Sequence, residues 1–61
     1  MATVKASELY VGQELAIGDV VDVTHNLAYD EYEIDIRVID DDTGEIDYLP
    51  MVVSPDEEFE L

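Results

Sequence analysis

The stretch from residue 31 to residue 39 alternates between charged and apolar side chains, and no other run in the chain alternates for as long. Successive side chains of a β-strand point to opposite faces, so a period of two predicts a strand with one buried face. The apolar members are expected to face the core and the charged members to face solvent. The core set is Tyr32, Ile34, Ile36 and Val38, and the solvent set is Glu33, Asp35 and Arg37.

The residues that follow predict the other half of a β-hairpin. Residues 41–44 have the sequence Asp-Asp-Thr-Gly, which fits a type I turn closed by a glycine bulge, because Gly44 can adopt a positive φ. Residues 45–49 then form the return strand. Pro50 has no N–H to donate, so this strand must be interrupted there or lie at the edge of its sheet.

The register of the hairpin is inferred from the apolar pattern. Pairing Asp41 with Glu45 places Ile46 and Tyr48 on the core face of the first strand. A slip of one residue would turn both side chains toward solvent, because the side-chain period is two. The sequence therefore predicts that Ile46 and Tyr48 belong to the core.

The first half of the chain predicts short strands and tight turns. Residues 1–5 form a short strand or a frayed end, and residues 6–12 fit a 3₁₀-like turn that buries Leu9. Apolar runs at residues 13–17 and 20–24 predict two strands, or one strand bent at Gly18. In the second run, the expected faces group Val21 with Val23 and Val20 with Asp22.

The second half of the chain predicts the elements that would complete a small barrel. Leu27 and Tyr29, in the connection before the hairpin, are expected to pack against the core. After the hairpin the pattern predicts a strand at 51–53, one helical turn at 54–58 and a last strand at 59–61. The expected fold class is all-β: a small, strongly bent, five-stranded barrel with one short helical turn, formed as a single domain by residues 1–61.

Three segments of this order resemble the SH3-like barrels, including small accessory proteins encoded by phages and prokaryotes. They are Ser7–Leu15, Ile34–Tyr48 and Ser54–Leu61, and together they cover most of the chain. The resemblance implies the barrel fold. Peptide-binding SH3 grooves use clustered aromatic residues, whereas this chain has no Trp and its four tyrosines are dispersed. No functional residue is therefore transferred from the family.

Acidic residues dominate the composition. Seventeen Asp and Glu against two Lys and Arg give a formal net charge of −15, which disfavours direct binding to nucleic acid or to an anionic membrane. Cysteine is absent, so packing or oligomerisation must stabilise this small domain. We expect a cytoplasmic protein, because no signal-like run opens the chain and no apolar stretch approaches the roughly 20 residues that span a bilayer.

Enzyme and cofactor motifs are missing from the sequence. The acidic turn fails the EF-hand pattern, because Gly44 as the sixth loop residue puts Ile39 at the first ligand position. His25 is the only histidine, and we expect it to be an ordinary loop residue, because a zinc site or a general base needs partners that the sequence does not supply. Nucleophile motifs and phosphate-binding glycine loops are also missing. We predict a protein that is not an enzyme and has no metal or cofactor.

Acidic residues at alternate positions of the hairpin form the candidate binding surface. Alternate residues of a strand lie about 6.6 to 6.8 Å apart, a spacing that resembles successive phosphates of one nucleic-acid strand. Arg37 is expected to lie diagonal to Asp47 in a surface ion pair. The candidate partner-binding residues are Glu31, Glu33, Asp35, Glu45 and Asp47, and candidate neighbours are Asp22, Glu57, Glu58 and Glu60.

This surface predicts a non-enzymatic module that docks on a basic protein surface. In its sharpest form the module is a nucleic-acid mimic that inhibits a DNA-binding or DNA-processing protein. The alternative is a structural or accessory domain, of halophilic or phage source, whose acids serve only solubility or salt adaptation. The identity of the partner and the oligomeric state stay open.

Overall fold

The computed structural model describes residues 2–61; Met1, the first residue of the predicted N-terminal strand, lies outside the described residues. Most of the described chain is β-structure, so the all-β prediction is confirmed. A 3₁₀ turn at Ala6–Glu8 follows the first strand, as the pattern of residues 6–12 predicts. The strands are β1 (Thr3–Lys5), β2 (Glu14–Leu15), β3 (Gly18–Asn26), β4 (Glu31–Ile39), β5 (Ile46–Val53) and β6 (Glu58–Glu60).

The strands form two antiparallel sheets. One has four strands in the order β2-β3-β4-β5, and the other pairs β1 with β6. The Ala16 N–H, in the turn between β2 and β3, donates to the Glu60 carbonyl over 2.9 Å and so joins the two sheets. Within residues 2–61 no strand pairs with the far edge of β5. The larger sheet is therefore curled but open at that edge.

The inner face of the four-stranded sheet is the one covered by β1, β6 and the 3₁₀ turn. Val20 of β3 is 1% exposed, and Ile34 and Ile36 of β4 are 2% and 0% exposed. Tyr32 and Val38 pack against this core, so the predicted core set of β4 is confirmed. The other core residues are Ala6, Leu9 and Leu15, with Val4, Val23, Met51, Val53 and Phe59 packed against them.

A β-bulge in β3 corrects the predicted faces of that strand. Val20 pairs with Ile36, but Asp22 pairs with Asp35, so Val21 is an extra residue on the β3 side. Val20 and Val23 consequently belong to the core, whereas Asp22 is exposed. The grouping of Val21 with Val23 is wrong because counting by twos breaks at a bulge. A turn at residues 16–17 separates β2 from β3, which makes them two strands rather than one bent strand.

The hairpin turn has the predicted glycine but a different register. Gly44 has a φ of 75°, and its N–H donates to the Asp40 carbonyl over 2.7 Å. The Asp40 N–H donates to the Glu45 carbonyl over 2.9 Å. Asp40, rather than Asp41, is therefore the partner of Glu45, and the two strands are shifted by one residue from the predicted pairing.

This shift reverses the faces predicted for β5. Ile36 lies opposite Leu49, and Ile34 lies opposite Met51. Ile46 and Tyr48 turn away from the core and are 52% and 60% exposed. The prediction that both belong to the core is wrong, because one residue of register exchanges the two faces of a strand.

The connections before and after the hairpin also differ from prediction. Leu27 and Tyr29 are 82% and 75% exposed, because they lie in a tight turn beyond the covered part of the sheet. After β5 the chain makes a turn closed by the Glu57 N–H and the Ser54 carbonyl at 3.1 Å, instead of a helical turn. The chain re-enters a strand at Glu58, which leaves room only for that turn. None of the helical segments in residues 2–61 has the length and apolar character that crossing a bilayer requires.

Beyond its covered part, the hairpin continues as an arm. We call residues 39–48 the hairpin arm, and every residue in it is exposed. The molecule measures 39 Å along its longest axis against 25 and 15 Å along the others. The arm and the outer face of the sheet are therefore the surfaces on which a binding site can form.

Candidate functional site

The outer face of the four-stranded sheet is the one that β1 and β6 leave uncovered. Along β4, the residues of the outer face alternate with the core set. The bulge in β3 turns Asp22 to the same side as Asp35. Across the β4–β5 register, Tyr48, Pro50 and Val52 lie opposite residues of this face. The outer face is therefore acidic along β4 and apolar along β5.

An acidic trio, Asp22, Glu33 and Asp35, lies at the centre of the outer face. Asp22 is directly opposite Asp35 in the β3–β4 register, and cross-strand neighbours of this kind have Cβ atoms about 4.5 to 5.5 Å apart. Together with Pro50 and Val52, the trio lines an open pocket of about 390 Å³. Like charges directly opposite each other destabilise a sheet, so this arrangement favours the arrival of a cation.

One carboxylate oxygen of the trio is left without a hydrogen bond. Asp35 Oδ1 is buried from solvent and has no partner among the described residues. A buried acceptor without a partner costs about 1 to 3 kcal/mol. A cation placed in the pocket would reduce the repulsion between Asp35 and Asp22.

The Lys and Arg side chains of this protein have acidic partners outside the trio, although Arg37 shares the outer face with Asp35, two residues along β4. Arg37 Nη2 donates to Asp19 Oδ2 over 2.8 Å, and Lys5 Nζ lies 3.8 Å from Asp56 Oδ1. The hydrogen bond and then the charge of Asp19 raise the pKa of Arg37 above its ordinary value, so Arg37 keeps its charge. The predicted pairing of Arg37 with Asp47 is wrong, because Asp19 lies directly opposite it in β3.

The structure does not place the five predicted partner-binding acids on one surface. Three share the outer face of β4 at alternate positions: Glu31, Glu33 and Asp35. Asp47 lies opposite Val38 and so belongs to the inner side of the hairpin. Glu45 pairs with Asp40 at the end of the hairpin arm. Asp22, which the sequence suggests only as a neighbour, joins the central group because of a bulge that no sequence signal marked.

Exposed apolar side chains on β5 border the trio. We call Ile46, Tyr48 and Val52 the apolar edge, and they are 52%, 60% and 59% exposed. These three residues share the outer face with Pro50, because all four occupy alternate positions of the same strand. The sequence pattern did not predict this strip, because Ile46 and Tyr48 were expected to belong to the core.

The free backbone groups of β5 follow from the phase of its ladder. In an antiparallel pair, hydrogen-bonded and non-hydrogen-bonded positions alternate, and the Asp40–Glu45 pair is hydrogen-bonded. Asp47 and every second residue after it therefore bond to β4, whereas the apolar edge directs its N–H and C=O groups outward. The backbone groups of Pro50 are also directed away from β4, so the absence of an N–H at this residue removes no hydrogen bond to β4. The prediction that Pro50 needs an edge strand is confirmed.

His25 is a structural residue at the end of β3 rather than a loop residue. Its ring stacks on Tyr32 with centroids 4.4 Å apart, and Nε2 lies 3.0 Å from Asp30 Oδ1. These contacts hold the turn between β3 and β4. Within residues 2–61, no three His, Asp or Glu side chains are grouped so that they could hold a metal ion.

Comparisons with known proteins give no relative for this chain. No protein-family model, no curated protein and no solved structure matches it. What the protein binds must therefore be inferred from the charge and geometry of its outer face.

Proposed function

We propose that this protein is a non-enzymatic binding module whose outer face docks on a basic surface of another protein. The observation that supports this most strongly is the acidic trio, in which Asp22 lies directly opposite Asp35 and all three acids line an open pocket. A Lys or Arg of the partner would reduce this like-charge repulsion and could form charge-assisted hydrogen bonds with the exposed carboxylates of Asp22 and Glu33. The trio thus provides a local reason for binding beyond the overall acidity.

The net charge contributes at longer range. A formal charge of −15 attracts a basic protein before contact, which raises the association rate and makes it sensitive to salt. At about 0.15 M salt the Debye length is about 8 Å, so steering acts mainly at close approach. The long-range charge therefore sets the rate of association, and the trio sets where the partner docks.

The sharpest form of the proposal is mimicry of nucleic acid. Glu31, Glu33 and Asp35 lie at alternate positions of β4, which spaces them by about 6.6 to 6.8 Å. Such a row presents negative charge at regular intervals, as a phosphate backbone does. The partner would then be a DNA-binding or DNA-processing protein, and this module would inhibit it by occupying its nucleic-acid site.

The SH3-like arrangement is part of the same proposal. It is supported by the antiparallel pairing of β1 with β6 beside the β2–β5 meander, and by the hydrogen bond from Ala16 to Glu60 that joins the two sheets. A fold of this kind implies no particular activity. It provides a rigid sheet on which the acids are held.

Two variants with the same change in charge test the docking surface. The first neutralises the trio as Asp22→Asn, Glu33→Gln and Asp35→Asn; the control neutralises three exposed acids elsewhere, as Asp41→Asn, Asp42→Asn and Glu14→Gln. Immobilised wild-type protein captures basic proteins from a lysate at low salt, and duplex DNA is then used as the competitor. We expect the captured partner to bind the control but not the trio variant, and to be released by DNA.

Other outcomes would separate the alternatives. Equal loss of binding in both variants would show that bulk acidity alone is responsible, as in a domain adapted to salt. A partner that holds this protein and duplex DNA at the same time would exclude mimicry but leave the docking module in place.

A further inference from the structure

We infer that the partner is held as an extended basic segment that adds to the open edge of β5 as a further strand of the four-stranded sheet. The inference rests on the proposed function and specifies how the partner is recognised. It joins two independent features of the molecule: the unpaired backbone of β5 and the acidic pocket beside it.

The backbone of β5 supplies the first part of the recognition. The apolar edge directs its N–H and C=O groups away from β4, and no described strand pairs with them. An incoming antiparallel strand would pair with these groups, which is the recurrent mode of strand addition to a sheet edge. Pro50 removes one donor from the middle of this edge, but its carbonyl can still accept a hydrogen bond.

The side chains specify the sequence of the added segment. Every second side chain of the segment would lie on the outer face, beside Pro50 and Val52, which line the pocket of the acidic trio. The added backbone lies about 4.8 Å from β5 and twice as far from β4. Only a long side chain reaches the carboxylates from there, so Lys or Arg is required, with its stem lying on Pro50 and Val52.

The opposite face of the added strand meets a different surface. On the inner side of β5, Leu49 is 45% exposed, and Met51 and Val53 are half-buried at the rim of the core. Apolar residues of the segment would cover this rim and remove its surface from water. The preferred segment therefore alternates between basic and apolar residues.

Charge complementarity decides between the possible occupants of this edge. A second copy of the chain offers the same unpaired backbone, but it brings another formal charge of −15. Self-pairing along β5 would bring two acidic hairpins together, and like-charge repulsion opposes it. A basic segment gains from the same field that repels a second copy.

The test uses a synthetic peptide of alternating Lys and Val and measures amide hydrogen exchange in the intact protein by NMR. At a peptide concentration of about ten times its Kd, we expect exchange at Ile46, Tyr48 and Val52 to slow by about tenfold, because only the free fraction exchanges. The amides of Asp47 and Leu49, which already pair with β4, serve as the internal control.

A matched pair of variants tests the same edge from the protein side. Val52→Pro removes an N–H that is directed away from β4, so it takes no hydrogen bond from β4, as is already the case at Pro50. The loss of one hydrogen bond to the peptide should weaken peptide binding by about three- to tenfold. Val52→Thr keeps the N–H and the branched shape, so it should bind like the wild type. The exchange measurement on the wild type remains decisive if Val52→Pro does not fold.

Three results would overturn the inference. Binding that depends on the trio but leaves the three amides unprotected would exclude strand addition while the docking function stands. Failure of the peptide to bind at low salt would also exclude it, independently of the capture experiment. Protection that appears on raising the protein concentration without peptide would identify a second copy as the occupant.

Discussion

The two ends of the β4–β5 hairpin carry similar alternating patterns in opposite surroundings. At the covered end, Ile34 and Ile36 are 2% and 0% exposed, whereas Ile46 and Tyr48 in the hairpin arm are 52% and 60% exposed. Ile34 and Ile36 lie on the inner face, over which β1, β6 and the 3₁₀ turn pack, whereas Ile46 and Tyr48 lie on the outer face and in the part of the hairpin beyond that cover. Alternation groups residues on one face, but the rest of the chain decides which face is buried.

The comparison also separates stability from binding. Removing apolar surface from water contributes about 25 cal/mol per Å², and in this domain that gain comes from the covered end. The arm and the apolar edge leave comparable side chains in water beside a row of acids. Exposed apolar patches rimmed by polar residues are typical of interaction sites, so the uncovered end is the one available to a partner.

The largest expected difference between the two ends is the cost of truncating an isoleucine. Ile36→Ala should lower the free energy of unfolding by about 2 to 5 kcal/mol, because it leaves a cavity in a core with few residues. Ile46→Ala in the arm should change it by no more than about 0.5 kcal/mol. Urea denaturation of both variants measures the difference. Similar losses in the two variants would show that the arm is packed as tightly as the covered end.

A smaller difference is expected between Gly18 of β3, which lies against the covered part of β4, and Gly44 in the turn of the arm. A Cβ at Gly18 would overlap the carbonyl oxygen of Arg37 and lie 3.1 Å from Ile36 Cγ2, so Gly18→Ala must displace the backbone of β4. At Gly44 no other atom lies within 4 Å of the added carbon. Gly44→Ala should therefore cost only the about 1 to 2 kcal/mol of a left-handed conformation, and Gly18→Ala should cost more. Thermal melts rank them, and the reverse order would contradict the close contact between β3 and β4.

The smallest expected effect concerns the acids of the outer face. Asp22→Asn removes the charge opposite Asp35 and should stabilise the protein by about 0.2 to 1 kcal/mol at low salt. In 1 M salt the Debye length is about 3 Å, and most of this gain should disappear. Asp41→Asn, in the turn of the arm, makes the same charge change away from the trio and should give a smaller gain. Denaturation at both salt concentrations measures this effect; a gain that salt does not alter would point to a cause other than charge.

Local sequence patterns correctly predicted the strongest features of the hairpin. The alternation placed β4 at residues 31–39, as observed, and correctly identified its core set. The turn glycine was also identified, because Gly44 occupies a positive φ that other residues rarely adopt. These features depend on short-range geometry, which one strand or one turn specifies without the rest of the chain.

Local patterns did not predict the register of β5 or the phase of β3, because both depend on contacts between strands. Both faces of β5 offer apolar residues, so the pattern alone cannot choose between Leu49 with Met51 and Ile46 with Tyr48. The hydrogen bond between Asp40 and Glu45 sets that choice, and the bulge at Val21 sets the phase that brings Asp22 opposite Asp35. A shift of one residue exchanges the two faces of a strand at no local cost, so the difference arises only in packing between strands distant in sequence. The candidate site lies on the face that this packing left uncovered.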